Sequence, residues 1–419
     1  MALAAELEPA LALVERVLDQ RRITPAFQPL VHLASGEVVG FEALARGPEG
    51  TAAHTPGALF GLAEQLGRVG ELDWVCRAVA LEQALASGLD PSFSWFLNVE
   101  PSGLATPCPE DLSPALSAAR RLRVVLEMTE REVDRDPARL LRATAAARRS
   151  RWGVAVDDVG AVPRSLALLP FVQPDVVKLD MSLVHSLDHA GTAAVANAVR
   201  AYAERTGAVI LAEGIETEAD EMGARVLGAS YGQGWRYGRP GPLPRSLAAP
   251  QHPFCFGQVL DPDTGRTPFE IGAGNRPVGR ASKDLLVPMS LHLERQALAG
   301  GEALVLLASF QQARHLTAGT CARYAELAHR NVLTVAMAAG LDAVPGADGV
   351  RAVDLAAGDP LLAEWNVIVV GPHFAGALLA RDLGDGGDDR QRRFDYLITH
   401  DRELVIRAAR AMLRRITEP

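Results

Sequence analysis

The sequence predicts an α/β protein of two domains: βα units forming a parallel sheet or barrel, then a second, smaller α/β domain. Three observations carry this expectation. At 419 residues the chain exceeds what one core usually fills, since single cores stop growing near about 250 to 300 residues. Short apolar runs alternate with amphipathic helical patterns through the first half, the signature of βα units. A stretch dense in Pro and Gly, RPGPLPRSLAAPQHPFCFGQVLDPDTGRTP from Arg239, separates this pattern from a second run of the same kind.

Residues 1–21 are expected to form an N-terminal helix. Glu6 and Glu8 stand where a secretory leader would carry positive charge, so secretion is not expected. The strands predicted next are 38–44 (VVGFEAL), 94–99 (SWFLNV), 123–128 (RVVLEM), 153–158 (GVAVDD), 175–180 (DVVKLD) and 208–213 (AVILAE). Helical stretches lie between them, among them TPGALFGLAEQLGR, PARLLRATAAARRS and TAAVANAVRAYAERTG, the last ending on a Gly suited to a helix C-cap. The organisation expected is a barrel over 22–247, a connector over 248–269 and a second domain over 270–419. In that second domain strands are predicted at 303–309, 333–339 and 365–371, with a last strand and helix in RRFDYLITHDRELVIRAARAMLRRI.

Composition narrows the function classes. A 48% hydrophobic share with 22% charged residues describes a globular chain, and no window approaches the roughly 18 apolar residues of a membrane span. A formal net charge of −9 argues against a general nucleic-acid binder, so DNA is not an expected partner, while a small nucleotide remains compatible. Cys76, Cys108, Cys255 and Cys321 are widely spaced and form no CxxC pair, which suggests neither zinc nor disulfides and fits a reducing cytoplasm.

Polar residues cluster at the C-terminal ends of the predicted strands: Glu42, Asn98, Glu127, Asp157 with Asp158, Lys178, Glu213, then Gln233 in YGQGW. In a βα barrel these ends converge on one face. So many like charges require cations, and an oxygen-rich set without histidine selects hard ions such as Mg²⁺ or Mn²⁺, with room for two. Two such ions can hold a phosphoryl oxygen, activate water at neutral pH and stabilise the leaving oxygen, which suits phosphodiester hydrolysis. Lys178 is notable because the chain has two lysines, Lys178 and Lys283, among 42 basic residues. A compact ammonium fits where a planar guanidinium would not.

These residues also carry a family resemblance. FQPLVHLASGEVVGFEALAR resembles the opening of EAL domains, named for Glu42-Ala43-Leu44, and LNVEP, LEMTE, VDDVG, VVKLD, AEGIE and GQGWRYGRP follow in the family's order over residues 22–244. The resemblance implies a modified TIM (β/α)8 barrel that hydrolyses cyclic di-GMP to linear pGpG with two Mg²⁺ or Mn²⁺ ions. It further implies a homodimer formed through that domain. By motif, it assigns Glu42, Asn98, Glu127, Asp157 and Asp158 as metal ligands, Gln233 as a further water or metal contact, Glu213 as catalytic base and Lys178 as its partner. Gln28, Leu44, Arg46 and Pro240 would meet the substrate, and Glu130 and Glu216 would position loops and ligands. One segment departs from the family: after Asp158 the chain reads Val159-Gly160-Ala161-Val162-Pro163-Arg164-Ser165, where the pattern is close to Phe-Gly-Thr-Gly-Tyr-Ser-Ser. Val162 in place of Gly loses access to positive φ, and Pro163 restricts it to extended conformations. This departure opens the alternative of a receptor that binds cyclic di-GMP without turning it over.

ASFQQARHLTAGTCARYAELA, DPLLAEWNVIVVGPHFAGALLARD and RRFDYLITHDRELVIRAARAML resemble the DICT domain, a sensory module, which implies an unknown signal or protein partner there. Other polar features are read blandly. DLGDGGDDR lacks the spacing and terminal Glu of a calcium loop, GAGNRPVG follows no strand, and His315, His373 and His400 have no ligand spacing.

Overall fold

In the computed structural model eight strands close into a barrel in sequence order: β1 Ala26–His32, β2 Val38–Leu44, β3 Ser94–Asn98, β4 Arg123–Met128, β5 Gly153–Val159, β6 Val176–Leu179, β7 Val209–Ala212 and β8 Tyr231–Gln233. The structure describes the chain apart from residues 1, 101–102, 104–105, 129–135, 162, 168, 187–189, 258–262, 301–302, 342–347, 386–387 and 417–419. Neighbours from β2 to β8 pair in parallel, whereas β1 is antiparallel to both β2 and β8. This is the modification of the TIM pattern, and it has a consequence for the site. In β2 to β8 the C-terminal residues reach the site face, whereas in β1 it is an N-terminal residue, Gln28, that lies opposite Glu42.

Within the strands, or one residue past the end in β7, an apolar residue is followed two positions later by a polar one: Phe96 and Asn98, Val125 and Glu127, Ala155 and Asp157, Val176 and Lys178, Leu211 and Glu213, Tyr231 and Gln233. Side chains two apart in a strand share a face. The first of each pair joins one buried cluster with Leu30 and Val39 in the barrel interior, and the second forms a polar layer above it. The Pro/Gly-rich stretch contributes to this interior too. Phe254 is fully buried there, 5.0 Å from the Phe96 ring and 4.3 Å from the Tyr231 ring, so it belongs to the floor of the barrel core. The predicted helices appear as Pro56–Gln65, Pro137–Arg149 and Ala190–Thr206, and Gly207 at the end of the last has φ +77°.

The chain divides into two compact units, Met1–Glu130 with Arg142–Ala161 and Gln173–Val259, and Arg131–Leu141 with Val162–Val172 and Leu260–Pro419. The second holds a seven-stranded sheet of β9 Gly279–Ser282, β10 Val305–Gln312, β11 Leu333–Ala339, β12 Arg351–Asp354, β13 Glu364–Val370, β14 Ala375–Asp382 and β15 Arg393–Thr399, in the order β12-β11-β10-β13-β14-β15-β9. Only β10, β11 and β12 pair in parallel. Helices Lys283–Ala299 and Ala318–Arg330 supply Leu286, Leu293, Ala297, Tyr324 and Leu327 to the cluster on this sheet. Among the described residues no helix is long and apolar enough to cross a membrane.

Candidate active site

Lys178 organises the polar layer. Its side chain is fully buried, and Nζ lies 2.6 Å from Glu213, 2.8 Å from Glu127, 2.9 Å from Asp157 and 3.6 Å from Glu42. Four carboxylates thus surround one ammonium. Burial alone would drive a lysine toward its neutral form, but the negative charges of Asp157, Glu127, Glu213 and Glu42 overcome this and raise its pKa well above the ordinary value.

The acids divide according to what else reaches them. Glu42 accepts from Gln233 Nε2 at 2.6 Å and Asn98 Nδ2 at 2.9 Å; although burial pushes its pKa up, Lys178 and these donors hold it below the usual value. Glu127 lacks such donors: burial, then the charges of Glu42 and Asp157, push its carboxyl well up. Glu213 is pushed up to about 8 by burial, opposed by Lys178 and aided by Asp157 and Glu42. Among the described residues Glu127 Oε2 and Gln233 Oε1 are buried with no hydrogen-bond donor, while the buried Glu127 Oε1 and Asp157 Oδ1 face the shared Lys178 ammonium. Buried oxygens rarely remain unsatisfied, and a surplus of carboxylates over ammonium calls for further positive charge. The residues therefore fit hard divalent cations.

Local backbone geometry brings two adjacent acids to the same place. Neighbouring residues in a regular strand face opposite sides, so Asp157 and Asp158 would diverge. Between Val156 paired with Val177 and Val159 paired with Leu179, β5 has two residues where β6 has one. This bulge, with Asp158 at φ +54°, turns both carboxylates inward. Ligand oxygens of Asp157, Asp158 and Glu213 all lie within 4.8 Å of one another.

Gln28 joins the ring by accepting from Gln233 Nε2 at 3.0 Å and donating to the Gly238 carbonyl at 3.3 Å. Leu44 lines the same cavity as Glu42 and Asn98, of about 330 Å³. The other expected residues are placed differently. Arg46 Nη1 donates to the neighbouring Ala45 carbonyl, the Glu216 backbone N–H donates to Asp220, and Pro240 precedes Gly241, whose backbone pairs with Phe27. None of the three makes a described contact with the carboxylate ring. Glu130 and Val162 lie outside the described residues.

The sequence reading missed Asp73, Arg77 and Glu100, which line this cavity. Asp73 and Arg77 form a buried ion pair on the helix Val69–Ala86, and Asp73 Oδ1 accepts from the Glu100 N–H at 3.0 Å, tying the helix to the loop after β3. The available signal was an acid and a base four residues apart on one helix.

Both parts of the chain are similar to known proteins. The EAL domain family matches residues 11–240, and the DICT family, a sensory domain in diguanylate cyclases and two-component systems, matches residues 271–383. The probable cyclic di-GMP phosphodiesterase PdeB of Escherichia coli K12 is 30% identical over 231 residues, 54% of this chain and 44% of PdeB. The cyclic di-GMP phosphodiesterase RocR of Pseudomonas aeruginosa is 32% identical over 248 residues, 57% of this chain and 62% of RocR. Both matches thus span less than two thirds of the relative. The solved PaMucR phosphodiesterase in complex with c-di-GMP is 28% identical, with a TM-score of 0.49 over 56% of this chain and 98% of that one. With the EAL match covering more than half of its length, this chain belongs to the EAL domain family and carries a DICT domain after its barrel.

Proposed function

We propose that the barrel hydrolyses cyclic di-GMP to linear pGpG with two Mg²⁺ or Mn²⁺ ions, under the control of the DICT domain. The observation that carries this reading is the buried ring of carboxylates around Lys178 with oxygens left unsatisfied. Glu42, Asn98, Glu127, Asp157 and Asp158 would hold the ions, with Gln233 as a further contact. When bound, the ions polarise the phosphoryl group and lower the pKa of water. Glu213 takes the proton of the attacking water, and Lys178, 2.6 Å away, orients Glu213 and offsets the charge around it. Water oxygen bonds to one phosphorus as the bond from that phosphorus to the 3′-oxygen breaks, and the departing 3′-oxygen takes a proton from solvent to become a hydroxyl. Gln28, Leu44, Arg46 and Pro240 would meet the nucleotide, with Arg46 turning from the Ala45 carbonyl to a phosphate that its fork can hold with two hydrogen bonds. Glu130 and Glu216 would position the surrounding loops.

The reading further includes a homodimer through the barrel, a barrel domain over 22–247, a connector over 248–269, a sensory domain over 270–419 and a cytoplasmic location. Four free cysteines support the last. A receptor that binds cyclic di-GMP without hydrolysing it is the second reading, favoured by Val162-Pro163 in the loop after Asp158. Product analysis with Mn²⁺ or Mg²⁺, paired with binding in Ca²⁺, separates the two. The enzyme predicts pGpG from the full chain and none from Glu42→Ala or Glu213→Gln. Tight binding without product would establish the receptor.

A further inference from the structure

The second unit encloses a cavity of about 180 Å³ between the helix Lys283–Ala299, β10 and β13. Its aromatic walls are Phe310, Trp365 and Phe394; Trp365 and Phe394 meet edge to face at 5.7 Å. This volume lies below the roughly 300 to 1,000 Å³ typical of pockets for drug-sized ligands, so a dinucleotide is excluded and a one- or two-ring molecule fits. The backbone here is specialised: β10 carries a register shift between Ser309 and Gln312, and Gln311 holds φ +63° while only 7% exposed. Bulges and left-handed non-glycine residues concentrate beside binding sites.

The polar inventory sets the ligand's charge. Glu294 is 4% exposed and lines the cavity. Its Oε2 accepts from Arg323 Nε at 3.0 Å, but among the described residues Oε1 meets just the hydroxyls of Ser290 and Tyr324, each at 3.4 Å. The cations are better satisfied. Arg323 also donates from Nη1 to the Gly319 carbonyl at 3.0 Å, and Lys283 pairs with Asp389. A buried acceptor short of close donors, beside aromatic faces, suits an ammonium group. We propose that this cavity is the ligand site of the DICT domain and takes a small aromatic amine, its ring against Trp365, Phe394 and Phe310 and its ammonium on Glu294. Arg323, whose side chain is 40% exposed, then swings outward into water. Val287 lines the cavity and is 37% exposed, which places it at the mouth.

Calorimetric titration of the full chain with tryptamine and phenethylamine, against indole-3-acetate and phenylacetate, tests the assignment without reference to phosphodiesterase activity. The expected result is saturable binding of at least one amine, one per chain, with its carboxylate counterpart roughly tenfold or more weaker. Glu294→Gln should weaken the amine roughly tenfold or more, Val287→Trp should block it by bulk, and Arg323→Gln should leave it unchanged or tighter. Circular dichroism establishes that each variant is folded, and if Glu294→Gln is not, Val287→Trp and Arg323→Gln decide. Carboxylates binding as well as amines, amine binding lost in Arg323→Gln or kept in folded Val287→Trp, or no saturable amine binding would overturn the proposal.

Discussion

Glu127 is the residue whose behaviour separates a metal site from an ordinary buried ion network. Its carboxyl is pushed toward the neutral form by burial and by Glu42 and Asp157, which an added cation would oppose. We expect Glu127→Gln to lower Mn²⁺ affinity, read by calorimetry, by roughly tenfold or more. Glu213 sets the pH dependence. Its carboxyl titrates near 8 when folded and near its ordinary 4.5 when unfolded. Between those values the folded state binds more protons, so metal-free stability should fall as pH rises from 4.5 to 8 and level off above. A divalent ion held beside Glu213 favours its deprotonated form, so metal affinity should rise with pH over the same interval, and saturating ion should reduce the decline. Thermal unfolding at pH 5, 7 and 9, with and without Mn²⁺, reads both effects. The strand-end acids and Lys178 were legible in the sequence because each follows an apolar strand residue and because lysine is so rare in this chain. Asp73 and Arg77 were not, since an acid and a base four apart on a helix look the same whether they face solvent or line a cavity.

The bulge in β5 makes a prediction about backbone as well as charge. Asp158 occupies φ +54°, a region that Asn tolerates and a β-branched residue does not. Asp158→Asn should fold as well as the parent yet bind metal more weakly, whereas Asp158→Val should also lose about 1 to 2 kcal/mol of stability in urea unfolding. No periodicity reveals such a bulge, because a tandem Asp-Asp suits a strand end or a loop equally. β1 was not among the predicted strands, and its direction would have stayed hidden in any case, because side-chain alternation has the same period whichever way a strand runs. Composition could not show that Phe254, in the Pro- and Gly-rich stretch, packs into the barrel floor against Phe96 and Tyr231. Phe254→Ala should cost about 3 to 5 kcal/mol, read by the same urea titration, as for other large buried aromatics. In the second unit β14, AGALLARD, was missed because its small residues resemble helix as much as strand.

At the scale of the whole chain, two units of different chemistry share one covalent path. Any coupling must be reciprocal in binding: if an amine changes cyclic di-GMP affinity by some factor, cyclic di-GMP changes amine affinity by the same factor. Two calorimetric titrations, each with the other ligand saturating and Ca²⁺ in place of Mn²⁺, should agree. The most direct test of the phosphodiesterase itself is incubation of the full chain with cyclic di-GMP and Mn²⁺ in ¹⁸O-labelled water, followed by mass spectrometry of the product. Water attack at phosphorus predicts pGpG carrying one ¹⁸O in its terminal phosphate, formed by the parent and not by Glu213→Gln. No linear product, or product with the label on the freed hydroxyl, would contradict it.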